Sequence, residues 1–205
     1  MRIVAGRHRG RNLAAPAGEA TRPTADRVRQ ALFDMLWHAP WAGRERIEGA
    51  RVLDAFAGTG ALGLEALSRG AARVVFIEPE RAALAALRRN IATLKAEGET
   101  RVIAGDATRP PASDAPCSLV FLDPPYGKAL VPRALDALRA AGWIAGDALV
   151  VAEVAKAEPL DLPGFEELAE RSHGAARLVV LRPTSSSPAS AGKGRGGGRP
   201  LIPGS

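Results

Sequence analysis

Val52-Leu53-Asp54-Ala55-Phe56-Ala57-Gly58-Thr59-Gly60-Ala61-Leu62-Gly63 runs from an apolar stretch through a glycine-punctuated turn into residues of helical habit. Glycines at 58 and 60 let the chain turn sharply and approach a ligand without a Cβ in the way, and Gly63 permits close helix packing. The spacing is G-x-G-x-x-G after a strand, and the next apolar run ends in an acidic residue, Glu78, followed by Pro79. A carboxylate there can grip both hydroxyls of a ribose. Taken alone, the glycine spacing and Glu78 fit either NAD or S-adenosylmethionine, and Asp54, Ala55, Gly58, Gly60, Glu78 and Pro79 are the candidate cofactor contacts.

Outward from this unit, apolar runs alternate with helix-length amphipathic stretches. Strands are predicted at 51–55, 73–78, 101–105, 118–122 and 148–154, and helices near 61–69, 80–96 and 131–141. Strands apolar on both faces and alternating with helices specify an α/β fold, an open and mostly parallel sheet covered on each side. The pattern then changes. Phe165–Ser172 and Ala176–Leu181, joined by His173-Gly174, predict a terminal antiparallel hairpin.

Two details favour the methyl donor over the dinucleotide. Asp54 would repel a pyrophosphate but suits the ammonium of a methionine moiety beside a cationic sulfonium. Gly105-Asp106-Ala107 follows the third strand, where Asp106 and Ala107 are placed to meet an adenine and its exocyclic amine. Asp106 by itself would read as a turn residue; three carboxylates at successive strand ends point to a ligand.

The fourth strand ends in Asp123-Pro124-Pro125-Tyr126, which holds the only tyrosine of the chain. An exocyclic amine on a base ring is a poor nucleophile because its lone pair is delocalised. Asp123 and the carbonyl of Pro124 can accept its two N–H bonds, and Pro124 and Pro125 keep those acceptors rigid. Tyr126 offers a ring for a base taken out of its stack. This chemistry needs no covalent nucleophile.

The ends of the chain carry the charge. Net charge is +6, and residues 1–30 hold seven arginines against Glu19 and Asp26. Residues 2–5 and 11–14 predict a hairpin with a basic tip that must lean on the main domain. Thr24 is predicted to cap a helix running to about Ala39, with Val28, Ala31, Leu32, Met35 and Leu36 on a packing face opposite an arginine face. Arg7, Arg9, Arg11, Arg22 and Arg29 are the candidate phosphate contacts. Residues 1–40 thus form a basic hairpin and helix on a main domain of 41–183, and 184–205 predict a disordered basic tail. Apolar runs fall far short of the roughly 20 residues that span a bilayer, and the N-terminus lacks an apolar signal core, so a cytoplasmic protein is expected. Cys117 stands alone as a buried small hydrophobe, and His8, His38 and His173 have no ligand spacing, so no metal is assigned.

Met1-Arg2-Ile3-Val4-Ala5-Gly6 with Arg9-Gly10-Arg11, Thr21-Arg22-Pro23-Thr24-Ala25-Asp26-Arg27-Val28-Arg29, the run from Asp54 to Gly70, and Asp123-Pro124-Pro125-Tyr126 together resemble the bacterial methyltransferases that modify guanine N2 in 16S ribosomal RNA. The resemblance covers residues 1 to about 182. It implies a class I S-adenosylmethionine-dependent methyltransferase fold with a seven-stranded sheet, and a substrate in an assembling small subunit; a monomer is expected. Ser172-His173-Gly174 departs from the family, where a tyrosine or similar residue precedes the glycine. Methylation of DNA adenine N6 or cytosine N4 shares the Asp-Pro-Pro-Tyr chemistry, although no segment is long enough for a separate DNA-reading domain. A nicotinamide oxidoreductase and a non-catalytic RNA-binding assembly factor are the remaining readings.

Overall fold

The computed structural model describes residues 1–15, 23–127 and 129–184. Strands β1 (Arg51–Ala55), β2 (Arg73–Glu78), β3 (Thr100–Ala104), β4 (Cys117–Leu122), β5 (Ile144–Ala155), β6 (Phe165–His173) and β7 (Ala176–Pro183) form one sheet in the order β3-β2-β1-β4-β5-β7-β6. The first five are parallel, and β7 pairs antiparallel with both β5 and β6. Helices α1 (Pro23–His38), α2 (Ala61–Ser68), α3 (Arg81–Leu94) and α4 (Leu130–Ala140) cover it.

Alternation along each strand divides the core in two. Val52, Val74, Phe76 and Phe121 pack with Phe33, Leu36, Leu64, Leu67, Leu87 and Ile91 of α1, α2 and α3. Leu53, Val75, Ile77 and Val120 pack on the other face with Leu135 and Leu138 of α4 and with Trp143. The two outermost strands, β3 and β6, are only partly buried and carry charges such as Arg101, Glu170 and Arg171, which discourages pairing with another chain. Cys117 is buried at the start of β4, where desolvation pushes its thiol up to about 11.

Three sequence expectations are corrected here. Helix α1 begins at Pro23, one residue before the predicted cap at Thr24; proline's fixed φ and missing N–H suit the first helical position. On that helix Ala31 is exposed, and the packing face runs through Leu32, Phe33 and Leu36. The N-terminal hairpin closes through a single bridge, Arg2 to Asn12, rather than through two strands. The predicted tail lies outside the described residues except for Thr184.

Candidate active site

The chain order of the sheet reverses between β1 and β4, and such a switch leaves a crevice beyond the carboxyl ends of the strands. Here the ends of β1, β2, β4 and β5 open into a cavity of about 1290 Å³. Asp54, Phe56, Gly58, Glu78, Pro79, Asp123, Pro124, Pro125, Tyr126, Glu153 and His173 all line it.

One half of the cavity is built by the glycine loop. Gly58 and Gly60 hold φ of +53° and +83°, and a Cβ on Gly63 would lie 2.4 Å from the Phe76 ring, so α2 packs against β2 only because residue 63 is glycine. Phe56 takes a φ of +136°, rare for an L residue, as the chain leaves β1. The Glu78 carboxylate accepts from Gly58 N at 2.7 Å and from Glu80 N at 2.8 Å, which ties the loop to the end of β2. Asp54 accepts from Gly63 N at 2.9 Å and is almost wholly buried. Burial pushes its carboxyl up to about 8; the Gly63 bond opposes this, and the charges of Asp123 and Glu78 add to it. A carboxylate offers about four lone-pair sites, so each keeps capacity for a ligand.

Ala55 lies buried at the end of β1. Asp106 and Ala107 are not among the cavity's lining residues. Asp106 closes a turn, accepting from the backbone N and hydroxyl of Thr108 at 2.8 Å each, and that backbone bond holds its carboxyl below the usual range. Its neighbour Gly105 donates to the Glu78 carbonyl at 3.1 Å, which sets Asp106 just beyond the cavity's edge.

The other half comes from the ends of β4 and β5. Asp123 is exposed at the cavity wall; partial desolvation there, then the charge of Glu153, raises its carboxyl above the usual range. Tyr126 is the exposed large hydrophobic residue among those described, and its hydroxyl donates to Glu153. His173 Nε2 stands 3.5 Å from the other oxygen of Glu153. Glu153 and His173 were not singled out as site residues from the sequence. Glu153 carried a signal, an acidic residue inside the apolar run 148–154; His173 carried none, because it reaches the site only when β6 and β7 fold back along β5.

The lining is strongly acidic. Asp54, Glu78, Glu80, Asp123 and Glu153 face it, against only Arg29 and His173 among basic residues described there. Arg29 is 4% exposed, and its guanidinium pairs with Asp26 at 2.8 Å and Glu65 at 3.5 Å and donates to the Arg2 carbonyl. Arg29 is therefore corrected from a surface phosphate contact to an internal pillar, because its position on α1 faces the sheet. Arg7 is exposed but held by Glu99 at 2.7 Å, whereas Arg9 and Arg11 are exposed and enter no ion pair among the described residues. Arg22 lies outside the described residues. No described group of His, Cys, Asp and Glu has metal-binding geometry, and no described helix is long and apolar enough to cross a membrane.

Residues 1–182 match the family model described as Conserved hypothetical protein 95. Ribosomal RNA small subunit methyltransferase D of Escherichia coli strain K12 is 45% identical over 154 residues, which is 75% of this chain and 74% of that protein. The solved structure of Escherichia coli yhhF, to which methyltransferase activity is attributed, has a TM-score of 0.77 at 36% identity, over 91% of this chain and 99% of that one. A Thermus thermophilus 16S rRNA N2 methyltransferase solved with AdoMet and guanosine shares the fold alone, with a TM-score of 0.59 at 18% identity over 82% of this chain and 45% of that one. The chain belongs to the Conserved hypothetical protein 95 family, that of the ribosomal RNA small subunit methyltransferases D.

Proposed function

We propose that this protein transfers the methyl group of S-adenosylmethionine to the exocyclic N2 of a guanine in 16S ribosomal RNA. The observation that carries the reading is the meeting of the glycine loop and Asp123-Pro124-Pro125-Tyr126 around one acidic cavity. The acidic lining disfavours the pyrophosphate of a dinucleotide and suits a ligand that is cationic at both its sulfonium and its ammonium, whose charge would favour ionisation of the buried Asp54 and of Asp123. When bound, the donor supplies an electrophilic methyl carbon on sulfur.

The residues of the chain do the positioning. Asp54, Gly58 and Gly60, with the backbone of Ala55 beside them, receive the methionine end, and Glu78 and Pro79 the ribose; the adenine then extends past the cavity's edge toward Asp106 and Ala107. Asp123 and the Pro124 carbonyl hold the two N–H bonds of the target amine so that its lone pair faces the methyl carbon. Transfer to that amine would form the N–C bond at the cost of the donor's C–S bond, whose electron pair would stay on sulfur. The nitrogen then gives up one proton, and the ionised Asp123 carboxylate is placed to take it. Tyr126 stacks on the extruded base. Arg9 and Arg11, with Arg7 beside them, supply phosphate contacts.

This reading carries with it a substrate inside an assembling small subunit, a monomeric enzyme and a cytoplasmic location. It also treats residues 1–40 as an RNA-facing attachment to the methyltransferase domain 41–183, with 184–205 as a basic tail. Tritiated S-adenosylmethionine supplied with small subunits that lack the modification, followed by nucleoside analysis of the RNA, tests it. The expected product is labelled N2-methylguanosine; label in N6-methyladenosine or N4-methylcytidine, or none at all, would overturn it. Calorimetry should show binding of the donor or its demethylated product and none of NAD.

A further inference from the structure

The ladder between β4 and β5 aligns Phe121 with Val151 and ends at Leu122 with Ala152, so Asp123 and Glu153 are the residues that directly follow the last pair on each strand. Neighbouring strands lie about 4.8 Å apart, and both carboxylates line the same cavity. The Glu153 side chain is 19% exposed, and what it exposes faces that space. One oxygen accepts the Tyr126 hydroxyl and the other faces His173 at 3.5 Å, so the group is held from two sides while lone pairs remain. Methyl transfer as described above uses Asp123, the Pro124 carbonyl and Tyr126; it leaves Glu153 without a task.

The edges of the bases differ in what such a carboxylate would meet. Beside its exocyclic amine, guanine carries a ring N1–H, a donor. Adenine N1 and cytosine N3, the ring atoms beside their amines, are acceptors. A second carboxylate next to Asp123 attracts the first edge and repels the other two. We propose that Glu153 is a specificity-determining residue that accepts the N1–H of guanine while Asp123 and the Pro124 carbonyl hold the N2 amine. Three acceptors on the protein then match three donors on the base. The inference rests on the methyl-transfer reading above and adds to it the residue that selects the base. His173 serves as a positioning residue, since it touches Glu153 rather than the base.

The test compares the parent with Glu153→Gln and Glu153→Ala in the presence of S-adenosylhomocysteine, using guanosine, 2-aminopurine riboside and adenosine as probes in competition binding by NMR. 2-Aminopurine keeps the N2 amine but presents an acceptor at N1. The parent should prefer guanosine over 2-aminopurine riboside by about tenfold or more, because a site built to receive a donor rejects the analogue that lacks it. In Glu153→Ala the preference should fall below about threefold. Glu153→Gln should also lose preference, since its amide can present a donor to the acceptor at N1. Unchanged S-adenosylhomocysteine affinity in both variants shows that the fold is kept. Equal binding of guanosine and 2-aminopurine riboside by the parent, failure of the parent to bind guanosine, or a preference that survives in folded Glu153→Ala overturns the proposal. Failure of methyl transfer itself is read separately, in the nucleoside analysis of ribosomal RNA, where a parent that methylates no RNA sinks the activity and not the base preference.

Discussion

Two carboxyls in the cavity are displaced upward, and each displacement has a measurable consequence. Asp123 must be ionised to accept from the target amine, so turnover should rise with pH through its titration, and that acid limb should lie above the ordinary carboxylate range. Glu153→Gln removes a neighbouring negative charge and should move the limb to lower pH; an unmoved limb would assign the titration elsewhere. Asp123→Ala should cut turnover by about 100-fold or more while donor affinity holds. Tyr126→Phe keeps the stacking ring but strands Glu153, whereas Tyr126→Ala removes stacking worth about 1 to 3 kcal/mol, so alanine should be the more damaging. Asp54 has the opposite sign from a paired surface carboxylate. Its folded-state value of about 8 means the native protein keeps a proton that the unfolded chain releases, so this group weakens stability as pH rises from the ordinary carboxylate range to that value. Asp54→Asn should raise unfolding free energy at pH 9 by about 1 kcal/mol or more, while weakening donor binding; urea titrations at pH 5 and pH 9 measure the difference.

The N-terminal hairpin is held to the domain by α2, and the attachment is specific. Glu65 is fully buried and accepts from Val4 N at 2.8 Å, Ala5 N at 3.0 Å and Arg69 Nε at 2.8 Å, with Arg29 Nε at 3.5 Å. Ser68 adds bonds from Oγ to the Ala5 carbonyl at 2.5 Å and from His8 N at 2.9 Å. The Arg69 guanidinium lies 4.8 Å from the Phe33 ring, which joins α1 to the same cluster. Glu65→Ala leaves two buried guanidinium groups without their shared counter-charge and should cost about 3 to 5 kcal/mol in denaturant unfolding. A subtler break is available at Gly6, whose φ is +79° and where a Cβ would sit 1.8 Å from the Ser68 carbonyl oxygen. Gly6→Ala should lift the hairpin from α2 and lower RNA affinity with the donor site intact; RNA binding equal to the parent would show that the docked hairpin contributes nothing to it.

Across the whole molecule, charge is sorted by sign. The cavity is acidic, while the exposed Arg9 and Arg11 stand on the hairpin that α2 holds in place. Under the proposed function the acidic crevice would receive a cationic donor and the basic groups a phosphate backbone. Replacing Arg9 and Arg11 together by serine should flatten the slope of log affinity against log salt by about 1.4, at roughly 0.7 for each single-stranded phosphate left without its arginine. Arg29, buried in its ion pairs, should change stability and not that slope.

The sheet was legible because strand and helix periodicities are local properties, and β1 through β4 fall within a residue of where the apolar runs place them. Asp54, Glu78 and Asp123 were legible as strand-end carboxylates beside glycine and proline, whose backbone demands are written in the chain itself. Burial of Arg29 was not legible, since an arginine's environment depends on which way its helix faces, and α1 turns that side chain toward Glu65, a residue 36 positions away. Nor was the alliance of Tyr126, Glu153 and His173, which lie in three segments that meet only when β7 pairs with β5 and brings β6 with it. Periodicity determines which face of an element is apolar; which distant polar groups then become neighbours follows from sheet order and register, and no single stretch of sequence encodes those.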